Sequence, residues 1–361
     1  MSNWLVEPRD TAVFRDGRPM ADGAGVAKSL DAPWPSAIAG LCRTRIGMDA
    51  KGRFSLTPQQ AKAIEVLGPW WAEVKADGSL QSWLAPAPAD AVWHEEAVDS
   101  KVRTRLAPQA FDNGVLSDLP EGLLPVCPLG PLSEGKASSG PGLWDWAAME
   151  AWLTQPRAKE KLSKNFGVTM PDHEPRTHVA ISSDSQTAED GKLFSVDAVR
   201  PVARRGDAVV RLGWAFSCED SRLKEGLVPL GGERRLSRLT ETKEALPAMP
   251  KLAIQGGKLR VVLVTPGIFG KGFRPDKDRL GPGVEVYAAA VGRPLAISGW
   301  DFELNQPKAS RRMAPAGSVY WLQFPSDQAA LEWAKAHWWK PISDDAQDRL
   351  DGFGVCVVGV G

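Results

Sequence analysis

The chain of 361 residues has few cysteines, almost no tyrosine and no surplus charge. Its four cysteines, Cys42, Cys127, Cys218 and Cys356, lie far apart without paired spacing, which argues against a cysteine-rich zinc site and gives no disulfide framework. The four histidines do not repair this: His173 and His178 are five apart and His94 and His337 stand alone, so the i, i+4 pair of a helical metal motif is missing. Lys+Arg 44 balances Asp+Glu 44, so no overall field draws the chain to nucleic acid or anionic lipid, and any such binding must be local. No apolar run reaches the ~18 residues of a membrane-spanning helix. Glu7, Arg9, Asp10, Arg15, Asp16 and Arg18 interrupt the stretch where a signal peptide needs its apolar core, so the protein is expected in the cytoplasm with no membrane partner.

Familiar catalytic signatures are missing too. The glycine-rich terminus, Gly352 to Gly361, departs from G-x-G-x-x-G, and the chain ends where a phosphate-binding helix would begin. Gly267-Ile268-Phe269-Gly270-Lys271-Gly272 holds a lysine among glycines but lacks the G-K-[ST] of a P-loop. Asp344-Asp345 has no neighbouring ligands to complete a two-metal shell and reads as a solvated surface. No G-x-S-x-G element appears. These absences leave no cofactor to expect.

What is present is glycine (35), proline (29) and tryptophan (15), so turns are abundant and large aromatic side chains are available for cores and interfaces. Residues 3–7 read as a strand stopped by Pro8. Ile38, Leu41, Cys42 and Ile46 recur at helical spacing, which predicts a helix over 37–47 capped by Ser36, with Arg43 on its polar face. From 50 to about 170, prolines interrupt helical patches near 58–67 and 144–153, and this stretch reads as a long loop-rich insertion. Thr177–Ile181 and Leu193–Val196 suggest a hairpin with a long polar tip. A strand is expected over 208–216, and proline-bounded 246–250 marks a domain boundary. Beyond it strands are expected at 258–265, 284–291, 295–303, 318–324 and 353–359, with a Ser326-capped helix to about 339. Strands with few helices fit an α+β class better than a doubly wound parallel sheet.

Cations cluster although the total cancels: Arg43 with Arg45; Lys101, Arg103 and Arg105; Arg200, Arg204 and Arg205; Arg234, Arg235 and Arg238; Lys308, Arg311 and Arg312. Several flank glycines, where guanidinium groups reach phosphates and backbone N–H groups approach unobstructed. A solvated charged face is the competing reading for each. Arg43, on a helix after a glycine-rich loop, suits a phosphate at the helix N-terminus or an ion pair with Asp49.

Taken in order, Glu7–Asp10, Phe14–Met20, Arg176–Ile181, Gly191–Phe194, Pro229–Arg235 and Pro315–Tyr320 closely resemble the third subunit of the type III-B CRISPR Cmr module, a RAMP-superfamily family. The terminal glycine-rich segment resembles the G-rich loop of that superfamily. The resemblance implies two ferredoxin-like, RRM-like domains, 1–250 carrying the insertion at about 50–170 and 251–361 ending in the G-rich loop. It implies a non-catalytic subunit that grips the 5′ repeat-derived tag of CRISPR RNA, docks on the large polymerase/cyclase subunit and the first RAMP backbone subunit, and meets target RNA only indirectly. Arg15, Arg18, Arg43 and the Gly231–Arg235 segment would then face RNA or shape its pocket, and the hairpin opened by His178 would mark the tag–guide junction. With the basic clusters, the expected RNA-binding set is Arg15, Arg18, Lys28, Arg43, Arg45, Arg176, His178, Arg234, Arg235, Lys308, Arg311 and Arg312. Two other classes stay open: a metal-independent CRISPR precursor endoribonuclease with His178 as general acid or base, and a scaffold whose cations meet acidic protein neighbours.

Overall fold

Two antiparallel sheets pack face to face, and each carries a helix on its outer side. The computed structural model describes residues 2–15, 26–49, 51–97, 100–112, 114–130, 136–162, 166–301 and 305–361. Among the described residues the N-terminal sheet has eight strands; inward from the edge strand Gly226–Pro229 it runs Leu236–Thr242, Ser2–Pro8, Ala208–Cys218, Val66–Val74 and Leu80–Pro86. The C-terminal sheet orders Glu285–Ala290, Val319–Gln323, Lys258–Leu263 and Val355–Val360, with Lys340–Pro341 at its edge. Numbered along the chain, Leu236–Thr242, Ser2–Pro8, Ala208–Cys218 and Val66–Val74 lie in the order fourth, first, third, second, and Val355–Val360, Lys258–Leu263, Val319–Gln323 and Glu285–Ala290 repeat it.

The side-chain alternation of the strands explains the layering. Trp4 and Val6 point toward the Pro35–Gly47 helix, where they pack with Ile38, Cys42, Trp71, Trp214 and Phe216. Leu5, between them, joins Trp70, Ala72 and Val74 in the seam between the sheets, against Val262, Trp321, Val355 and Trp339. On the far side, Val261, Tyr320 and Val358 pack beneath Ala330, Trp333 and Ala334 of the Asp327–His337 helix. Strands buried on both faces lose the apolar–polar alternation that marks a half-exposed strand. Val66–Val74, VLGPWWAEV, is therefore a central strand where the sequence suggested a helical patch followed by loop.

Other local expectations meet the structure unevenly. Ser326 does cap its helix, accepting the amide of Ala329 at 3.1 Å. Ser36 does not cap the first helix: Pro35 occupies the first turn, where its missing N–H costs nothing, and Trp34 is the cap residue without a side-chain bond. Much of 50–170 is ordered rather than loop: beyond its strands in the main sheet, Ala91–Ala97, Ser100–Pro108, Val126–Pro128, Lys136–Ser138 and Lys159–Leu162 form a second small sheet. Asp345 caps the Ala346–Leu350 turn and Asp344 accepts the amides of Gly270 and Asp276, so this pair organises loops. Cys42, on the first helix, and Cys218, distant in sequence, are buried free thiols in the same core. The glycine-rich terminus is a buried strand in which Gly359 lies against Leu153 of the helix Trp146–Thr154.

The basic cluster at 101–105 faces inward. Arg103 lies within 4.4–5.1 Å of the Trp144, Trp152 and Phe166 rings and pairs with Glu160 at 2.6 Å. Beside it Arg260, fully buried in the second sheet, pairs with fully buried Asp90 of the insertion. The aromatic cage and this ion pair fix the insertion to the C-terminal sheet.

Candidate nucleic-acid interface

Segments far apart in sequence meet beside the start of the Leu236–Thr242 strand of the N-terminal sheet. The chain leaving Ser2–Pro8 crosses that edge as an extended loop over 9–15, pinned residue by residue. Arg9 donates its amide to the Leu236 carbonyl at 3.1 Å, Ala12 and Val199 exchange two backbone bonds of 2.8 Å, and Gly232 donates to Val13 O at 2.7 Å. Phe14 donates to Ser29 Oγ at 2.8 Å, while its ring stands edge-on to Trp214 at 5.2 Å. Thr11, Ala12, Val13 and Phe14 are buried, which leaves Arg9, Asp10 and Arg15 on the surface.

The Gly231–Arg235 segment packs on this loop. Gly231 has φ 81° and ψ −160°, a conformation close to glycine-only, and a Cβ there would stand 2.4 Å from Val13 O. Glu233 and Arg234 follow with φ 58° and 52°, so two consecutive non-glycine residues hold left-handed backbone. Arg235 turns inward to Thr11 and to Glu233 Oε2 at 2.6 Å. Arg234 points to solvent without a side-chain partner among the described residues.

On the other side of the loop the strand His173–Ile181 pairs with Ala188–Val199, and that strand pairs in parallel with Val26–Lys28. The hairpin tip is only 182–187, shorter than the sequence suggested, because pairing resumes at Ala188. Arg176 grips Asp10 with two bonds of 3.0 and 3.1 Å and Glu174 with its Nε at 2.8 Å. The Arg176 bonds hold the Asp10 carboxyl below its ordinary range, and those of Asp10 and Glu174 push the guanidinium the other way. His178 stacks on Phe194, its cross-strand neighbour, at 5.4 Å and 15°, with Nε2 buried and unpartnered among the described residues. An imidazole laid flat on a phenyl ring forms a stacking face, and among the described residues no carboxylate bonds to it. His173 bonds Asp31 at 2.7 Å and Asp197 at 3.2 Å and so ties the hairpin base to the segment leading into the first helix.

The same segment leads to the basic cluster of Lys308, Arg311 and Arg312. Trp34 packs with Ile268, Ile297, Met313 and Phe353 under the paired strands Leu295–Ile297 and Arg311–Met313. Arg311 is bound at both nitrogens by Asp348 at 2.7 and 2.9 Å, while Lys308 and Arg312 are exposed without side-chain partners among the described residues.

The structure thus sorts the expected residues. Arg15, Lys28, Arg176, His178, Arg234 and Arg235 gather around the 9–15 loop, and Lys308, Arg311 and Arg312 sit on the neighbouring hairpin. Arg18 lies outside the described residues. Arg43 and Arg45 are held elsewhere. Arg43, in the second half of its helix and far from the N-terminal amides, pairs with Asp351 at 2.7 Å and bonds the Lys62 and Ile64 carbonyls; Asp49 pairs with Arg53 instead. Arg45 bonds the carbonyls of Lys224 and Glu225. Since Arg43 joins the first helix to the C-terminal half, Arg43→Ala should lower stability by about 1–3 kcal/mol, read as a lower urea midpoint. Arg9 was not among the expected residues; its backbone bond to Leu236 sets it beside the Arg234 turn, exposed and without a side-chain partner among the described residues. The signal available was its place in the Glu7–Asp10 motif. Among the described residues no group of three or more His, Cys, Asp or Glu is placed to hold a metal ion, and no helix is long and apolar enough to cross a membrane.

No curated protein matches the chain. Among solved structures it is similar to a chain of the type III-B Cmr-beta complex bound to cognate target RNA and AMPPnP, at 15% identity over 88% of this chain and 85% of that one, with a TM-score of 0.48. It is similar also to a chain of Cmr-beta bound to cognate target RNA, at 16% identity over 88% and 86%, with a TM-score of 0.46. From residue 4 to residue 361 the sequence fits the model of the CRISPR-associated protein family (Cas_Cmr3), to which this chain belongs.

Proposed function

We propose that this protein is a non-catalytic RNA-binding and assembly subunit of a type III-B CRISPR (Cmr) effector, holding the 5′ repeat-derived tag of CRISPR RNA along the 9–15 loop. In this reading it docks on the large polymerase/cyclase subunit and the first RAMP backbone subunit, and target RNA is met indirectly. Residues 1–250 and 251–361 are its two halves, each ferredoxin-like; the shared strand order of the two sheets supports this.

One observation carries the reading. The 9–15 loop, the Val26–Lys28 strand, the 173–199 hairpin and the 231–235 turn converge, and most of their charge is neutralised internally, yet Arg9, Lys28 and Arg234 stay exposed without side-chain partners among the described residues. Lys28 adjoins Ser29, which bonds Phe14, and Arg234 lies two residues beyond Gly232, which bonds Val13. Cations held around one backbone-pinned loop suit a single-stranded phosphate track, and the His178–Phe194 face offers a stacking surface where tag meets guide. A locally basic track also accounts for a chain with no net charge.

The test is binding of 5′-tagged RNA against RNA with a scrambled tag, over a series of salt concentrations. The Arg9→Ala/Lys28→Ala/Arg234→Ala variant should bind at least tenfold more weakly, and its log–log salt slope should fall by about 0.7 for each phosphate that is no longer neutralised. Unchanged affinity and slope would remove these residues from the interface.

A further inference from the structure

The insertion carries a surface whose chemistry is opposite to that of the RNA track. Between Arg105 and Lys136 the sequence contains no lysine or arginine. Within that stretch the described residues 109–112 and 114–125 belong to a loop whose ends meet through the bond from Gln109 N to Pro125 O at 3.0 Å. Its base is anchored: Leu123 is buried, and Leu124 donates to Tyr287 O of the C-terminal sheet at 2.8 Å. Its outer part displays apolar side chains, with Val115 53% and Leu116 97% exposed and Phe111 and Leu119 also on the surface. Asp112, Asp118 and Glu121 surround them, all exposed. A loop fastened at its base with large apolar groups on its tip is the pattern of a docking element, since monomeric surfaces rarely gather such groups.

We infer that the tip of the 109–125 loop docks into an apolar groove rimmed by lysine or arginine on another protein subunit of the same effector, an inference that rests on the function proposed above. Charge decides the class of partner. Three carboxylates without a single cation repel a phosphate backbone and complement a basic rim. Position agrees: the insertion leaves the N-terminal sheet after Leu80–Pro86, at the opposite side from the Leu236–Thr242 strand beside which the RNA track lies, so both partners can be held at once. Val115 and Leu116 supply the apolar anchor, and the carboxylates steer the approach.

The test measures binding of the full chain to each of the other type III-B effector subunits, purified singly, with tagged RNA binding measured in parallel. Val115→Ser/Leu116→Ser alters only exposed side chains, and its unfolding midpoint should match the parent. One subunit should bind the parent chain and lose about tenfold to a hundredfold in affinity with the double variant, while tagged RNA binds both equally. Asp112→Asn/Asp118→Asn/Glu121→Gln should slow association with that subunit and flatten its salt dependence. Equal affinity of parent and variant for every subunit, or a parent chain that binds none, would overturn the inference, as would a double variant that loses RNA instead. The RNA arm reports separately on the tag-binding reading, so the two can fail independently.

Discussion

Asp90→Ala should destabilise the protein by about 3–5 kcal/mol, the largest loss expected from one side chain, because it leaves the Arg260 guanidinium buried and unpaired. Both partners are fully buried. Asp90 bonds Arg260 through one oxygen and the Trp152 indole N–H, at 2.9 Å, through the other. Arg260 also donates to the Trp152 carbonyl, so one carboxylate joins the insertion, the Trp146–Thr154 helix and the second sheet. Arg105 lies close enough to be repelled by Arg260 and, chiefly through burial, has its pKa lowered to about 10. Without Asp90, the fully buried Arg260 guanidinium has no carboxylate partner among the described residues. Urea unfolding of Asp90→Ala, Arg260→Met and the double variant Asp90→Leu/Arg260→Met checks this. The double variant should recover much of what Asp90→Ala loses, since an apolar replacement of the whole pair leaves no charge stranded. If both aspartate variants lose the same amount, the stranded charge is not the cause.

How far such features can be read in advance depends on whether their cause is local. The Ser326 cap and the period of Ile38, Leu41, Cys42 and Ile46 are set within a few residues, and both emerge where expected, to within two residues. Val66–Val74 does not, since both its faces are buried and a proline sits inside it, so neither alternation nor turn chemistry identifies a strand. The small sheet of the insertion is hidden by the prolines that end its strands. At the interface, the resemblance indicates which segments matter but not which cations remain available. Asp10 and Arg176 lie 166 positions apart, and Arg311 is matched by an aspartate on a turn near the end of the chain. Counting arginines finds clusters; only the fold shows that Arg43, Arg176, Arg235 and Arg311 are held by partners within the chain, while Arg9, Lys28 and Arg234 are presented outward.

Gly231→Ala should weaken tagged-RNA binding at least tenfold although it removes no charge at all. The presentation of Arg234 rests on backbone geometry that only glycine adopts cheaply at position 231, where φ is 81° and ψ −160°. An alanine there costs about 1–3 kcal/mol in backbone strain alone. Its methyl would also meet the Val13 carbonyl at 2.4 Å, the acceptor that holds Gly232. The cheapest relief is for 231–235 to lift off the 9–15 loop, which breaks the Gly232 bond, frees Arg235 from Thr11 and moves Arg234 out of register with Arg9 and Lys28. Gly232→Ala is the matched control. Gly232 has no positive φ, and a methyl there meets Val13 at an ordinary 3.5 Å, so this variant should bind tagged RNA as the parent does. Equal binding by both variants would mean that the cations act independently of the turn that carries them. A loss confined to Gly231→Ala would show that the track is read by position rather than by charge, as expected of a protein with no net charge to offer.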